Sequence, residues 1–241
     1  MAPTGWRIFI IVDYGVKVRR ILACRKTVLI CATGQKSIGA QGRGTMPPYS
    51  VHGGMVMDAI TALTQRVSVA KLGEPAPSKE QLDTLFKCAS RAADHGLLRP
   101  WRFLTIAGTG REALGELFCR SALRDDPELS ETLQDKLRNM PLRAPMLLLV
   151  IARLQEHPKV PELEQLLCAG AAAQNIVNAA YAQGLGVIWR TGDMAYNRHV
   201  LEGLNVAENE RLVGYLYLGT PAKKLPGAKE IDLSDRCQSW P

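Results

Sequence analysis

From Met57 onward the apolar and polar positions change period several times, and each change predicts an element. In "MDAITALTQRVS", Met57, Ile60 and Leu63 recur three apart, a short helix that delivers Arg66 and Ser68 at its end. The turn-rich "KLGEPAPSKEQ" follows. Within it, Ser78 and Gln81 have the spacing of a capping box. Leu82, Leu85, Phe86 and Ala89 then mark one helical face. Next come a strand "RFLTIAG", a helix "REALGELFCRSAL", a polar helical stretch around "ETLQDKLRNM" and a buried strand "APMLLLVIARL". A long helix, "PELEQLLCAGAAAQNIVNAAYAQG", is ended by Gly184. The strand "GVIWRTG", a short helix near "AYNRHVLEGL" and the strand "RLVGYLYLGTP" complete the pattern.

Four strands interleaved with helices predict a three-layer α/β or α+β domain. The run Cys168 to Ala173 is nearly all small side chains, a face that allows close approach of another helix or a second subunit. From Lys223 the chain carries few apolar residues, which suits wrapping around a partner.

Charge divides the 241-residue chain unevenly. Its formal net charge is +7, but residues 1–56 hold eight of the 30 basic residues and one of the 23 acidic ones. The other 185 residues carry 22 of each, so the domain has no bulk electrostatic reason to bind nucleic acid. The 1–56 leader lacks a sustained period, and Asp13, Lys17 and Arg19–Arg20 fit a secretory signal poorly. It is basic enough for a mitochondrial presequence. The favoured expectation is a misassigned upstream start: Gly53–Gly54 can be encoded by a purine-rich ribosome-binding sequence two codons before Met57. The domain boundaries expected are therefore 1–56 for the leader, disordered or not part of the working protein, and 57–241 for the globular part. The longest apolar run, "MLLLVIA", is far short of the roughly 18 residues of a membrane span. Six cysteines without a CxxC pair point to a reducing cytoplasm, with Cys88, Cys119 and Cys168 as small buried thiols. Four scattered histidines predict no metal site.

Several catalytic patterns fail on inspection. Gly108-x-Gly110-x-x-Ala113 imitates a dinucleotide fingerprint, but the acid-terminated second strand it needs is replaced by polar helical sequence, so it reads as a plain turn. There is no G-x-S-x-G elbow and no phosphate-binding Walker loop, and Asp125–Asp126 sits in solvated text. Three clusters at element junctions remain: Arg66-Val67-Ser68 with Lys71 behind it, Arg91 through Phe103 ("RAADHGLLRPWRF"), and Trp189-Arg190-Thr191-Gly192. Each taken alone can be structural. Together they offer cations for a phosphate and aromatic walls with planar donors for a flat polar ring.

Those stretches carry a resemblance. "RVSVAK", "RAADHGLLRPWRF", "GVIWRTG" and the final "VGYLYLGTP", in this order, resemble the nitroreductase family of FMN flavoproteins from Met57 to about Pro221, most closely its short single-domain bacterial NAD(P)H nitroreductases. The resemblance implies an α+β fold with a central, mainly antiparallel sheet flanked by helices, assembled as a homodimer that shares its FMN sites. It implies that Arg66, Val67 and Ser68 hold the FMN phosphate, that Arg91 and His95 reach the flavin from the other subunit, and that Trp189, Arg190 and Thr191 line the ring. The nicotinamide donor is placed, more weakly, along Ala179, Ala180, Tyr181, Ala182, Gln183 and Gly184. It further implies hydride transfer from NADH or NADPH through FMN to a nitroaromatic, quinone or similar flat acceptor, with no catalytic side chain, metal, nucleic acid or membrane. Rival readings on the same fold are a non-catalytic FMN sensor, or an FMN enzyme acting on an enone or a halogenated ring. Val67, Ala93 and Arg99 depart from the family pattern, and Lys223 or Lys224 could supply a second phosphate cation.

Overall fold

A computed structural model describes residues 57–225 and 227–240, and the leader 1–56 lies outside the described residues. The sheet is organised by one strand, Met146–Arg153 (β3), whose side chains are apolar on both faces. Met146, Leu148 and Val150 meet Leu85 and Ala89 of helix α2 (Lys79–Ala89) and Ala172, Ala173 and Ile176 of helix α5 (Glu162–Ala182). Leu147, Leu149 and Ile151 meet Leu114 and Phe118 of helix α3 (Thr109–Asp125). A strand buried on both faces reads as continuous hydrophobic sequence, and the resulting arrangement is helix, sheet, helix.

β3 pairs with β2 (Trp101–Ala107) on one side and with β5 (Glu210–Pro221) on the other. β5 also pairs with β4 (Gly186–Arg190) and with a two-residue β1 (Leu72–Gly73), and every pairing is antiparallel. The α+β class with an antiparallel sheet is thus the one adopted. β1 falls inside the stretch expected to be only turn, because two residues carry no readable period. Opposite Val150/Ile151 the β5 register skips Val213. This bulge puts Leu212 and Tyr215 on one face although they are three apart.

Local signals hold where the chemistry is short-range. Ser78 and Gln81 exchange the two hydrogen bonds of a capping box at α2. Gly184 takes φ +75° just past α5, and Leu185 N bonds Ala180 O at 2.9 Å, which closes the helix end. Gly108, at φ +56°, turns β2 into α3, and no dinucleotide-type second strand follows. Helix α1 (Ala59–Gln65) packs on α5, while α4 (Glu131–Asn139) and α6 (Arg198–Gly203) complete the α3 side. Two expectations need correction. Cys119 and Cys168 are buried, but Cys88 is only half-buried. Asp125 is not merely solvated, because it accepts a hydrogen bond from Asn197 Nδ2 and so ties α3 to the start of α6. Beyond Ala222 the described tail forms no helix or strand and is largely exposed.

Candidate functional site

Helix α1 stops at Arg66, whose backbone is already extended (φ −59°, ψ 131°). Three residues on, Val69 is buried and its N–H bonds Val187 O of β4 at 2.9 Å. That single bond lays Arg66, Val67 and Ser68 beside β4, with Arg66 and Val67 half-buried and Ser68 exposed. β1 pairs with Thr220–Pro221, and Ala222 N bonds Lys71 O at 3.1 Å. Lys71 and Lys223 therefore reach the same margin of the sheet as Arg66. None of these three cations is ion-paired to a described residue. A cationic margin results.

β4 runs from that margin to Arg190, three residues beyond Val187, which is about 10 Å at the strand rise. Alternation sends Trp189 to the α5 side and Ile188 to the α3 side. The Trp189 indole donates to Val213 O at 3.2 Å. Arg190 and Thr191 line a cavity of about 340 Å³, together with Phe118, Arg143, Tyr215 and Tyr217. Phe118 and Tyr215 meet edge to face at 5.7 Å. The Tyr215 hydroxyl donates to Met194 O at 2.9 Å, and burial pushes its ionisation well above the usual phenol range. Burial also raises Tyr217, against the opposing pull of the Arg143 and Arg190 guanidiniums. Arg143 and Tyr217 are residues that the sequence reading did not single out. The available signal was the "YLYL" alternation, which puts Tyr215 and Tyr217 on one face.

The Arg91–Phe103 cluster is built differently. After α2, Arg91 N bonds Cys88 O and the Arg91 side chain is exposed. Both Asp94 carboxylate oxygens accept from Arg99 N, at 3.2 and 3.0 Å. Between them Gly96 (φ 67°), Leu97 (φ 56°) and Arg99 (φ 49°) all occupy the left-handed region, which is strained for the last two. His95 turns toward the first half of α5: its Nδ1 lies 3.3 Å from Cys168 Sγ and its Nε2 3.9 Å from Glu164 Oε2. Trp101 and Phe103 anchor the strand, partly buried against the α2/α5 core, with Phe103 5.5 Å from Phe86.

The Ala179–Gly184 segment closes the other end of α5, starting eleven residues past Cys168, or about 16 Å along the helix. His95 and this segment are therefore not brought together within one chain. Ala180 is fully buried and cannot face a ligand, whereas Tyr181, Ala182 and Gln183 are half-buried and Gly184 is exposed. Among the described residues no group of three or more His, Cys, Asp or Glu is placed to hold a metal, and no helix is long and apolar enough to cross a membrane.

This geometry can be set beside known proteins. The model of the nitroreductase family matches residues 63–220. The chain is 41% identical over 182 residues to the Escherichia coli (strain K12) protein named "Putative NAD(P)H nitroreductase YdjA", covering 74% of this chain and 96% of that one. Its fold resembles the crystal structure of a nitroreductase-like family protein from Bacillus cereus (TM-score 0.66, 22% identity, 78% of this chain and 98% of that chain). It also resembles oxidised iodotyrosine deiodinase bound to FMN and 3-iodo-L-tyrosine (TM-score 0.57, 21% identity, 76% of this chain and all of that one). With the family pattern spanning both the cationic margin and the β4 strip, the chain belongs to the nitroreductase family.

Proposed function

We propose that this protein is a homodimeric, FMN-dependent oxidoreductase that uses NADH or NADPH to reduce a nitroaromatic, quinone or similar flat acceptor. The observation that carries the reading is the Val69–Val187 bond, which aligns a phosphate-binding type of sequence with a strand that ends in Trp-Arg and is followed by Thr191. The donor set fits FMN. Arg66, Ser68, Lys71 and Lys223 offer cations and a hydroxyl for a phosphate at one margin, and Trp189, Arg190 and Thr191 offer an edge for a flat ring further along β4. When bound, FMN supplies two-electron redox chemistry between NAD(P)H and the acceptor. In the net change NAD(P)H becomes NAD(P)+, and the acceptor gains two electrons and two protons, one of them from solvent.

The side chains bind and orient. Arg66 and Ser68 grip the phosphate, with Val67 contributing backbone. Trp189, locked by its bond to Val213, fixes the height of the strand edge. Arg91 and His95 reach the cofactor of the other chain, and the surface around Gly184 receives the nicotinamide. The dimer is supported by exposed apolar side chains on two helices: Leu163 and Leu167 of α5 are 67% and 62% exposed, and Ile60 and Leu63 of α1 are exposed as well. The free thiols Cys88, Cys119 and Cys168 suit the cytoplasm. Purified full-length protein should be yellow and release FMN on denaturation, and Arg66→Ala should emerge depleted of flavin. A colourless protein that takes up no added FMN ends this reading.

A further inference from the structure

On the α3 side of the sheet, the cavity beyond β4 holds a second guanidinium that the reading above does not require. Its two guanidiniums come from different elements: Arg190 from the end of β4, and Arg143 from the 3-10 turn Pro141–Arg143 that precedes β3. Among the described residues no acidic side chain lines the cavity, and neither arginine is ion-paired to a described residue. Apart from Thr191 and Gly192, the rest of the wall is apolar or aromatic. Phe118, Tyr215 and Tyr217 supply flat surfaces, and Tyr217 lies within the field of both guanidiniums. The Tyr215 hydroxyl donates to Met194 O, so it is not free to donate to a ligand. At about 340 Å³ the space matches a small single-ring molecule. Two uncompensated cations beside aromatic walls favour a flat ring that carries one negative group, and arginine forks match a carboxylate bidentately.

We propose that this cavity takes a flat nitroaromatic monocarboxylate as the electron acceptor, its carboxylate held by Arg143 and Arg190 while the nitro group takes the two electrons of NAD(P)H and two protons to become nitroso plus water, so that Arg143 is a specificity-determining residue. The assignment rests on the flavin reading, because Arg190 and Thr191 serve both.

The test compares 4-nitrobenzoate with 4-nitrobenzamide on the full-length protein, since the two probes share ring and nitro group and differ in charge. Binding is measured by calorimetry without NAD(P)H, turnover as kcat/KM, and FMN content by absorbance. Wild type is expected to prefer the carboxylate by about tenfold to a hundredfold, the range of a charge-assisted hydrogen bond. Arg143→Gln is expected to abolish most of that preference and Arg143→Lys to retain a large part of it. Arg120→Gln, in a different surface cavity, should leave it unchanged. Equal binding of the two probes by wild type overturns the proposal, as does a preference that survives in R143Q. An R143Q protein that is colourless while wild type is yellow also overturns it, because the cavity would then hold the cofactor. If wild type itself lacks FMN, the flavin reading alone fails, and the calorimetric preference still decides whether the cavity takes the anion.

Discussion

The indole of Trp189 sits where a side chain at position 214 would have to be. Its Nε1 donates to Val213 O at 3.2 Å, and a Cβ built on Gly214 would fall 2.2 Å from that nitrogen and 3.0 Å from Arg190 O. The β5 bulge and the missing Cβ together leave room for β4 to bring its tryptophan across the neighbouring strand.

Gly214→Ala should therefore displace Trp189 and the Arg190 backbone in one move. Overpacking of this kind costs about 1–3 kcal/mol. Urea unfolding should report the loss of stability, and tryptophan fluorescence of the folded protein should shift. FMN affinity should fall more than stability alone explains, because Arg190 moves too. A variant with wild-type fluorescence and full flavin content would separate Trp189 from the site.

Away from the site, Glu210 joins three elements. It is buried, accepts from Arg102 Nε and a second Arg102 nitrogen at 2.7 and 2.6 Å, and lies 3.4 Å from Arg153 Nε. The hydrogen bonds from Arg102 hold its carboxyl below the ordinary range, outweighing burial. A depressed folded pKa means that its contribution is complete above the unfolded value of about 4.3 and is lost as pH falls through the folded value. Stability should thus rise with pH across that acid window in wild type and do so less in Glu210→Gln. Arg102 is only partly buried and glutamine still accepts from it, so the loss should stay below the range of about 3–5 kcal/mol for a fully buried pair, yet a denaturation midpoint at neutral pH should drop.

The exposed leucines of α5 give the clearest test of assembly. Leu163 and Leu167 contribute little to the core of a single chain, so Leu163→Arg/Leu167→Arg should cost little in folding. If two chains share each site, the double variant should sediment as a monomer and lose FMN together with its dimer. A monomer that stays yellow would contradict shared sites, and a variant that remains dimeric would move the interface elsewhere.

How much of this was legible beforehand depends on the range of the interaction. The Ser78 cap, the Gly184 stop and the two-faced apolar run of β3 are written within a few neighbouring residues, and all were readable. β1 was not, since its existence depends on Thr220–Pro221, nearly 150 residues away. Arg143 was missed for the same reason: it becomes interesting only when β5 puts Tyr217 and β4 puts Arg190 beside it. The direction of His95 was equally hidden, because Cys168 and Glu164 are its neighbours only once α5 has docked.

The His95 loop supplies the last prediction. Asp94 is the one described side chain that hydrogen-bonds back across the turn, meeting Arg99 N with both oxygens, and it spans residues whose left-handed backbone is strained at Leu97 and Arg99. Strain of about 1–3 kcal/mol per residue persists only where surrounding bonds hold it. Asp94→Ala removes that brace and leaves the core untouched, so global stability should fall by no more than about 1 kcal/mol. The loop, however, should relax toward ordinary dihedrals and carry His95 away from α5. Amide exchange at residues 96–99 should accelerate while exchange in β2 and α5 stays slow. FMN affinity should weaken, whereas Asp94→Asn, which keeps an acceptor for Arg99 N, should recover much of it. Unchanged exchange in Asp94→Ala would mean that the Gln155 amide, which donates to Leu98 O at 3.3 Å, and the packing of Leu98 and Pro100 hold the turn instead of the carboxylate.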